Sequence, residues 1–258
     1  MTPFELATTF EYNHPTVSNR VTGIQRPYAR HATLTYTADH LTGITDMQGL
    51  VSSLMYANGS DLVTSMTTPY GQTSFDSVDR AWGDNVAVRS ILVTNPDNSQ
   101  ERYAFYDSAT GLVPSGDYTA IPNVSGVGPT LDTGTVSERD SFRWTSLNLS
   151  HITGTWPSYT ANDLRKARMT HWLAASTLEE VGWDPSMMRD PSPDDDGNAV
   201  GQCTYYSYPG MADGIVGASD LPNLVAELAP PPLSQESYDG EDQVKGPVRG
   251  EVFPNQAG

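Results

Sequence analysis

Two stretches of the chain repeat one another. Leu41-Thr42-Gly43-Ile44-Thr45-Asp46-Met47-Gln48-Gly49 aligns with Val63-Thr64-Ser65-Met66-Thr67-Thr68-Pro69-Tyr70-Gly71 as apolar, Thr, small, apolar, Thr, polar, two variable positions and Gly. The segments lie 22 residues apart (63 − 41), and the tyrosines that precede them, Tyr36 and Tyr56, lie 20 apart (56 − 36). The extra two residues fall in Asn58-Gly59-Ser60-Asp61, where a turn absorbs an insertion at small cost. A period of this size points to an array of similar supersecondary units, which become stable by packing on one another.

Each unit reads as strand, turn, strand, turn. Leu34-Thr35-Tyr36 and Leu54-Met55-Tyr56 are short alternating runs suited to a strand. Polar turns follow at Thr37–His40 and at Ala57–Asp61, the second carrying the hairpin signal Asn58-Gly59. The nine-residue segment supplies the second strand, with Leu41 and Ile44, or Val63 and Met66, as apolar anchors. Gly49 and Gly71 close it at positions expected to need a left-handed or tight turn. Residues 4–33 carry further strand-like fragments (Phe4–Leu6, Thr9–Tyr12 and Arg20–Ile24), consistent with a degenerate earlier repeat. Val86–Val93 is the most β-branched run.

Tyr36 to Gly49 and Tyr56 to Gly71 resemble the YD repeats of bacterial RHS proteins, in which a Tyr-Asp pair precedes a Gly-containing turn, an apolar-Thr-x-Ile-x-Asp segment and a Gly. Tyr106-Asp107 supplies the literal pair, followed by Gly111-Leu112-Val113, with Asn95-Pro96-Asp97-Asn98-Ser99 as the turn that feeds it. Thr37 and Ala57 stand where the family has Asp. The resemblance implies a mainly β chain, an array of antiparallel hairpins forming a curved or partial shell-like sheet, as a fragment or shortened member of that family. In the family, long arrays spiral into a β shell that often encloses a C-terminal toxin and is delivered outside the cell or between bacteria. The implied role is a non-enzymatic structural segment, secreted or at the cell surface. The implied partners are further YD repeats, the rest of a longer chain and an encapsulated toxin domain. The resemblance supplies no catalytic, cofactor-binding or metal-binding residue.

Composition agrees with a turn-rich β protein. Gly and Pro together number 41 of 258 (22 + 19), and 13 residues are tyrosine. A net charge of −17 argues against nucleic acid and anionic membrane surfaces as partners. No apolar run approaches the roughly 20 residues needed to span a bilayer. The first residues, Met1-Thr2-Pro3-Phe4-Glu5-Leu6, show no classical signal peptide. A single cysteine, Cys203, excludes an internal disulfide framework. Three segments are expected: a YD-repeat array over 1–113, a continuation with a loop-rich insertion over 114–227, and an acidic, Pro/Gly-rich disordered tail over 228–258.

Several motifs invite chemistry. Asp132-Thr133-Gly134 carries the short signature of aspartic proteases, in which two aspartates share a proton; a second copy is absent, and a turn is the simpler reading. Asp190–Asn198 is rich in aspartate, but placing Gly197 at the loop glycine of a calcium-binding EF-hand puts Ser192 at position 1 and Cys203 at position 12, so two key carboxylates are missing. His14 and His31 read as turn or solvated histidines, and Cys203 has no partner at catalytic spacing. Thr160 and Asp163 form a helix start, and Leu164, Ala167, Arg168, His171, Trp172, Ala175 and Leu178 fall at helical spacing, so one α-helix is expected over 160–181 with Gly182 as its stop. Its flanking cations, Arg165, Lys166, Arg168 and Arg189, are expected to face the protein's own carboxylates. A surface adhesin or carbohydrate-binding module is the alternative function; burial of Trp82, Trp144, Trp156 and Trp172 would count against it. A hydrolase built on Asp132 is the remote one.

Overall fold

A computed structural model describes residues 7–79, 88–108, 138–175, 181–211, 214–228 and 249–252. The chain is mainly β, with antiparallel strands and, among the described residues, two short helices. It divides into two compact units: Met1–Ser77 with Leu92–Gln100, and Val78–Ile91 with Glu101–Gly258.

The first unit contains β1 (Thr9–Glu11), β2 (Gly23–Arg26), β3 (Arg30–Thr37), β4 (His40–Thr45), β5 (Val51–Tyr56), β6 (Val63–Thr68) and most of β7 (Gly71–Asp79). Each strand pairs antiparallel with its neighbours in the chain. The register of the repeat is the same each time. Leu34 lies opposite Ile44 and Leu54 opposite Met66; Thr35 lies opposite Gly43 and Met55 opposite Ser65; Tyr36 lies opposite Leu41 and Tyr56 opposite Val63. The region that reads as a degenerate repeat follows suit, with Phe10 opposite Ile24 and Glu11 opposite Gly23. Val21-Thr22-Gly23-Ile24 therefore occupies the place of Leu41-Thr42-Gly43-Ile44.

This register explains an oddity of the sequence. The anchors Leu41 and Ile44 are three residues apart, whereas a regular strand returns to one face every second residue. The pairing slips between Thr35 and Tyr36, and again between Met55 and Tyr56, leaving Thr42 and Thr64 as bulge residues. With one residue skipped, both anchors reach the same face. The Thr42 hydroxyl donates to the Thr35 carbonyl at 3.3 Å, and Thr22 does the same to Glu11 at 3.2 Å. Directly opposed residues share a face, so Phe10, Ile24, Leu34, Ile44, Leu54 and Met66 line one side and Thr33, Thr35, Thr45, Ser53 and Thr67 the other. The apolar side is only partly covered: Phe10 stays 54% exposed.

Within the first unit, two tyrosines tie one repeat to the next. The Tyr36 hydroxyl donates to the Val21 carbonyl and the Tyr56 hydroxyl to the Leu41 carbonyl, both at 2.9 Å and both reaching 15 residues back. Each ring carries a histidine, His14 on Tyr36 and His40 on Tyr56. Replacing Tyr36 or Tyr56 by phenylalanine is expected to cost about 1 kcal/mol, the net value of one such hydrogen bond. Urea denaturation followed by far-UV circular dichroism checks this, and an unchanged midpoint in both variants would refute it.

The turns meet the expectations at Gly49 (φ 83°) and Gly71 (φ 125°). Asn95–Ser99 is a hairpin turn, as its sequence suggests, with Asn98 in the left-handed region at φ 64°. At Asn58-Gly59 only Gly59 (φ 69°) is left-handed. The connection there is longer than a two-residue hairpin, because Ala57 bonds across to Leu62.

The second unit contains β9 (Gln100–Ser108, from Glu101 on), β10 (Glu138–Trp144), α1 (Ser146–Ser150), α2 (Ala161–Arg165), β11 (Arg168–Ala174), β12 (Val181–Arg189), β13 (Cys203–Ser207), β14 (Leu224–Leu228) and β15 (Arg249–Val252). These strands again pair in chain order. β8 (Val88–Thr94) precedes them in the chain. Within the stretch expected to be a tail, Arg249–Val252 forms β15 against β14; residues 229–248 and 253–258 lie outside the described residues, as do residues 114–137 of the stretch that reads as loop-rich over 114–140, whose last residues, Glu138–Asp140, belong instead to β10.

The helix expected over 160–181 is corrected by the structure. The capping box is present: Asp163 N–H donates to Thr160 Oγ1 at 3.2 Å, and Thr160 N–H to Asp163 Oδ2 at 2.9 Å. The helix nevertheless ends at Arg165, and Arg168–Ala174 is a strand. Met169, His171 and Leu173 are buried while Arg168, Thr170 and Trp172 are not, a period of two that the helical spacing of neighbouring residues masks. A second strand pairing favours the extended choice, since β11 sits between β10 and β12. Gly182 is not a helix stop but a buried residue of β12, where a Cβ would come within 2.8 Å of the Leu173 carbonyl oxygen.

Among the described residues, every buried apolar side chain lies at position 104 or beyond. Ala104, Tyr106, Phe142, Trp144, Met169, Met187, Cys203 and Tyr205 come from one face of the strands, and Tyr159, Leu164 and Ala167 from the segment carrying α2 cover them.

Candidate functional site

A group of buried polar side chains stands in and around one rung of the second unit. Tyr106, Asp140, His171, Met187 and Tyr205 are successive cross-strand partners of β9 to β13 and so share one face. Asp140 and His171 are 0% and 1% exposed, and His171 Nδ1 lies 3.0 Å from Asp140 Oδ1. Arg139 and Arg189, 2% and 1% exposed, add two cations. Arg139 donates through Nε to the Trp172 carbonyl at 3.2 Å and pairs with Glu138 at 2.9 Å; Arg189 donates to the Leu164 carbonyl at 2.9 Å.

Burial pushes the Asp140 carboxyl up to about 6, against the opposing pull of the His171 hydrogen bond and the charges of His171, Arg189 and Arg139. Burial also holds the Tyr106 phenol above its ordinary range. Asp140 Oδ2 and His171 Nε2 have no hydrogen-bond partner among the described residues. The carboxylate fixes the orientation of the imidazole, as in catalytic Asp–His pairs. With both side chains closed off from water, the arrangement acts here as a polar fastening inside the core.

The sequence-derived candidates are scattered. Asp132, with Thr133 and Gly134, lies outside the described residues, as does Trp82. His14 caps a turn, its Nδ1 accepting from the Val17 N–H at 3.1 Å, and His31 faces Glu11 at 3.4 Å. Cys203 is a buried thiol whose Sγ lies 3.6 Å from the Gly201 carbonyl oxygen. No group of three or more potential metal ligands occurs among the described residues.

The acidic loop is a packed turn. Asp194 accepts from the Asn198 and Ala199 N–H groups at 3.0 and 2.7 Å. Partial burial works to raise its pKa, but the backbone donors, Ala199 foremost, outweigh it and leave the carboxyl below the usual range. Gly197 sits at φ 75°, and a Cβ there would run into the Asn162 carbonyl oxygen. Gly197→Ala is expected to cost about 2 kcal/mol, combining left-handed strain with that collision. Denaturation curves test this, and a variant as stable as the parent would contradict it.

Of the cations around α2, Lys166 and Arg168 meet carboxylates, as expected, whereas Arg165 donates to the Asn162 side-chain amide oxygen at 3.3 Å and Arg189 to a backbone carbonyl. Lys166 lies 3.8 Å from Asp163 and donates to the His151 carbonyl at 2.9 Å, and Arg168 lies 4.0 Å from Asp190. Trp144 is fully buried, Trp156 and Trp172 are half-buried, and Trp183 is 92% exposed.

Asp140 closes a stretch that reads as loop-rich, so the sequence does not single it out. The signal that could have found it is the alternation of Asp140, Phe142 and Trp144. No described helix is long and apolar enough to cross a membrane. Compared with models of known protein families and with curated proteins, the chain matches none.

Proposed function

We propose that the chain is a structural segment of a YD-repeat β scaffold, built to be extended by further hairpin units rather than to carry out chemistry. One observation carries this reading. Three successive hairpins, Thr9–Gln25, Thr33–Thr45 and Ser53–Thr67, use the same cross-strand register. A register reproduced through three differing sequences is what a modular array requires. The resemblance of Tyr36–Gly49 and Tyr56–Gly71 to RHS proteins supplies the rest of the proposal: a setting at the cell surface or outside the cell, and association with more repeats and an enclosed toxin domain.

Modularity can be tested by excision. Deleting Thr37–Tyr56 joins Tyr36 to Ala57, so that Tyr36 takes the place of Tyr56 opposite Val63 and Leu34 that of Leu54 opposite Met66. The shortened chain is expected to remain folded and β-rich, with cooperative unfolding in urea. Loss of cooperative unfolding would show that the hairpins are not interchangeable and would end the scaffold reading.

A further inference from the structure

The hairpin joining β2 to β3 differs from the other turns of the first unit. Its tip, Pro27-Tyr28-Ala29, holds two consecutive non-glycine residues in the left-handed region, at φ 67° and 55°. The comparable positions at the other tips hold Gly49, Gly59 and Gly71, or the single residue Ala38. L-residues are disfavoured there, and strain of this kind clusters at ligand-binding positions. Tyr28 is 74% exposed, so burial of its ring does not offset the strain.

Arg26 and Arg30 close the same hairpin as direct cross-strand partners. Like charges so placed repel. Both are exposed, and neither forms an ion pair with a described residue, although the chain as a whole carries −17. Glu11, on the neighbouring strand, is turned to His31. Thr8, Arg26, Pro27, Tyr28 and Arg30 together line a concavity.

We propose that this hairpin tip is a binding site for an oxyanion, a carboxylate or a phosphate group, held between the Arg26 and Arg30 guanidinium groups with the body of the ligand against Tyr28 and Pro27. Guanidinium forks match both groups in geometry, and an anion between them removes the repulsion. Thr8 adds an uncharged residue to the lining. The turn holds the tyrosine ring out beside the charges, where it can stack on a planar or sugar-like body. This site is independent of the scaffold proposal and would stand if that proposal failed.

Titrating the isotopically labelled protein at low ionic strength with inorganic phosphate, acetate and galacturonate, followed by NMR, tests the site. Saturable shifts of the Arg26 and Arg30 Nε–H signals are expected. Saturation by phosphate alone assigns a phosphate, and saturation by acetate and galacturonate a carboxylate; a sugar acid should also move the Tyr28 ring signals. Arg26→Gln with Arg30→Gln is expected to weaken binding at least about tenfold, the loss that accompanies removal of a charge-assisted hydrogen bond. Arg26→Lys with Arg30→Lys keeps the charge of the hairpin and should still weaken binding, because the fork is gone. Shifts that never saturate with any probe, or backbone amide shifts of residues 26–30 that saturate at the same ligand concentration in the parent and the substituted proteins, would overturn the assignment.

Discussion

Trp144→Ala is expected to destabilise the second unit by about 4 kcal/mol, within the range for deleting a fully buried tryptophan. The indole is 0% exposed and touches Phe142, Trp156 and Tyr159, with ring centroids 5.7, 6.1 and 5.3 Å away. Its Nε1–H donates at 2.9 Å to the carbonyl of Asp163, the residue that completes the helix cap of α2. Truncation therefore opens a cavity, strands a buried acceptor and loosens the segment that covers the core. Amide hydrogen exchange of β10 and β11 measures the effect locally. Protection lowered by less than about tenfold, near 1.4 kcal/mol, would show that the surroundings collapse into the space. Trp144→Phe keeps most of the packing and loses the hydrogen bond, so about 1–2 kcal/mol should remain lost.

The second large effect is one of pH. Burial raises the Asp140 carboxyl from its ordinary value of 3.8 to about 6. A raised carboxyl means that the folded state prefers the protonated form. Its contribution is complete below pH 3.8 and is lost as pH rises through about 6. A displacement of that size corresponds to about 3 kcal/mol. Asp140→Asn removes the titration while keeping the shape. The difference in unfolding free energy, parent minus variant, should then fall by about 3 kcal/mol between about pH 4 and pH 7. A flat difference would show that the carboxyl is not held in its protonated form. At neutral pH His171→Leu should cost about 3 kcal/mol or more by leaving a buried carboxylate without its partner, and adding Asp140→Asn should recover part of that loss.

The mainly β class, the strands at Leu34–Tyr36 and Leu54–Tyr56, and the left-handed glycines are legible in the sequence because each rests on local chemistry: alternation for the strands, freedom at positive φ for Gly49 and Gly71. The identity of Val21-Thr22-Gly23-Ile24 as a full repeat is also on view, but spacing hides it. The interval to the next copy is 20 residues at the Thr-Gly pair (42 − 22) and 24 at the preceding strand (33 − 9), so a single fixed period does not find both halves. Arg168–Ala174 reads as helix because Leu164, Ala167, His171 and Trp172 satisfy helical spacing, while Met169, His171 and Leu173 at the same time satisfy the alternation of a strand. What decides the outcome is pairing with β10 and β12, a non-local fact that local propensity does not carry. The Asp140–His171 contact is hidden for the same reason: its members are 31 residues apart and meet only once the register of β10 and β11 is set.

Pairing between chain neighbours has a kinetic consequence. Each strand of the first unit closes onto the segment just made, so the ordering entropy of one short loop is met before the next begins. Such topologies have low contact order and fold quickly for β proteins. The chain can lay down its sheet one hairpin at a time as it leaves the ribosome, with each finished hairpin templating the edge for the next. An array grown in this way can lengthen without a slower search for its partners.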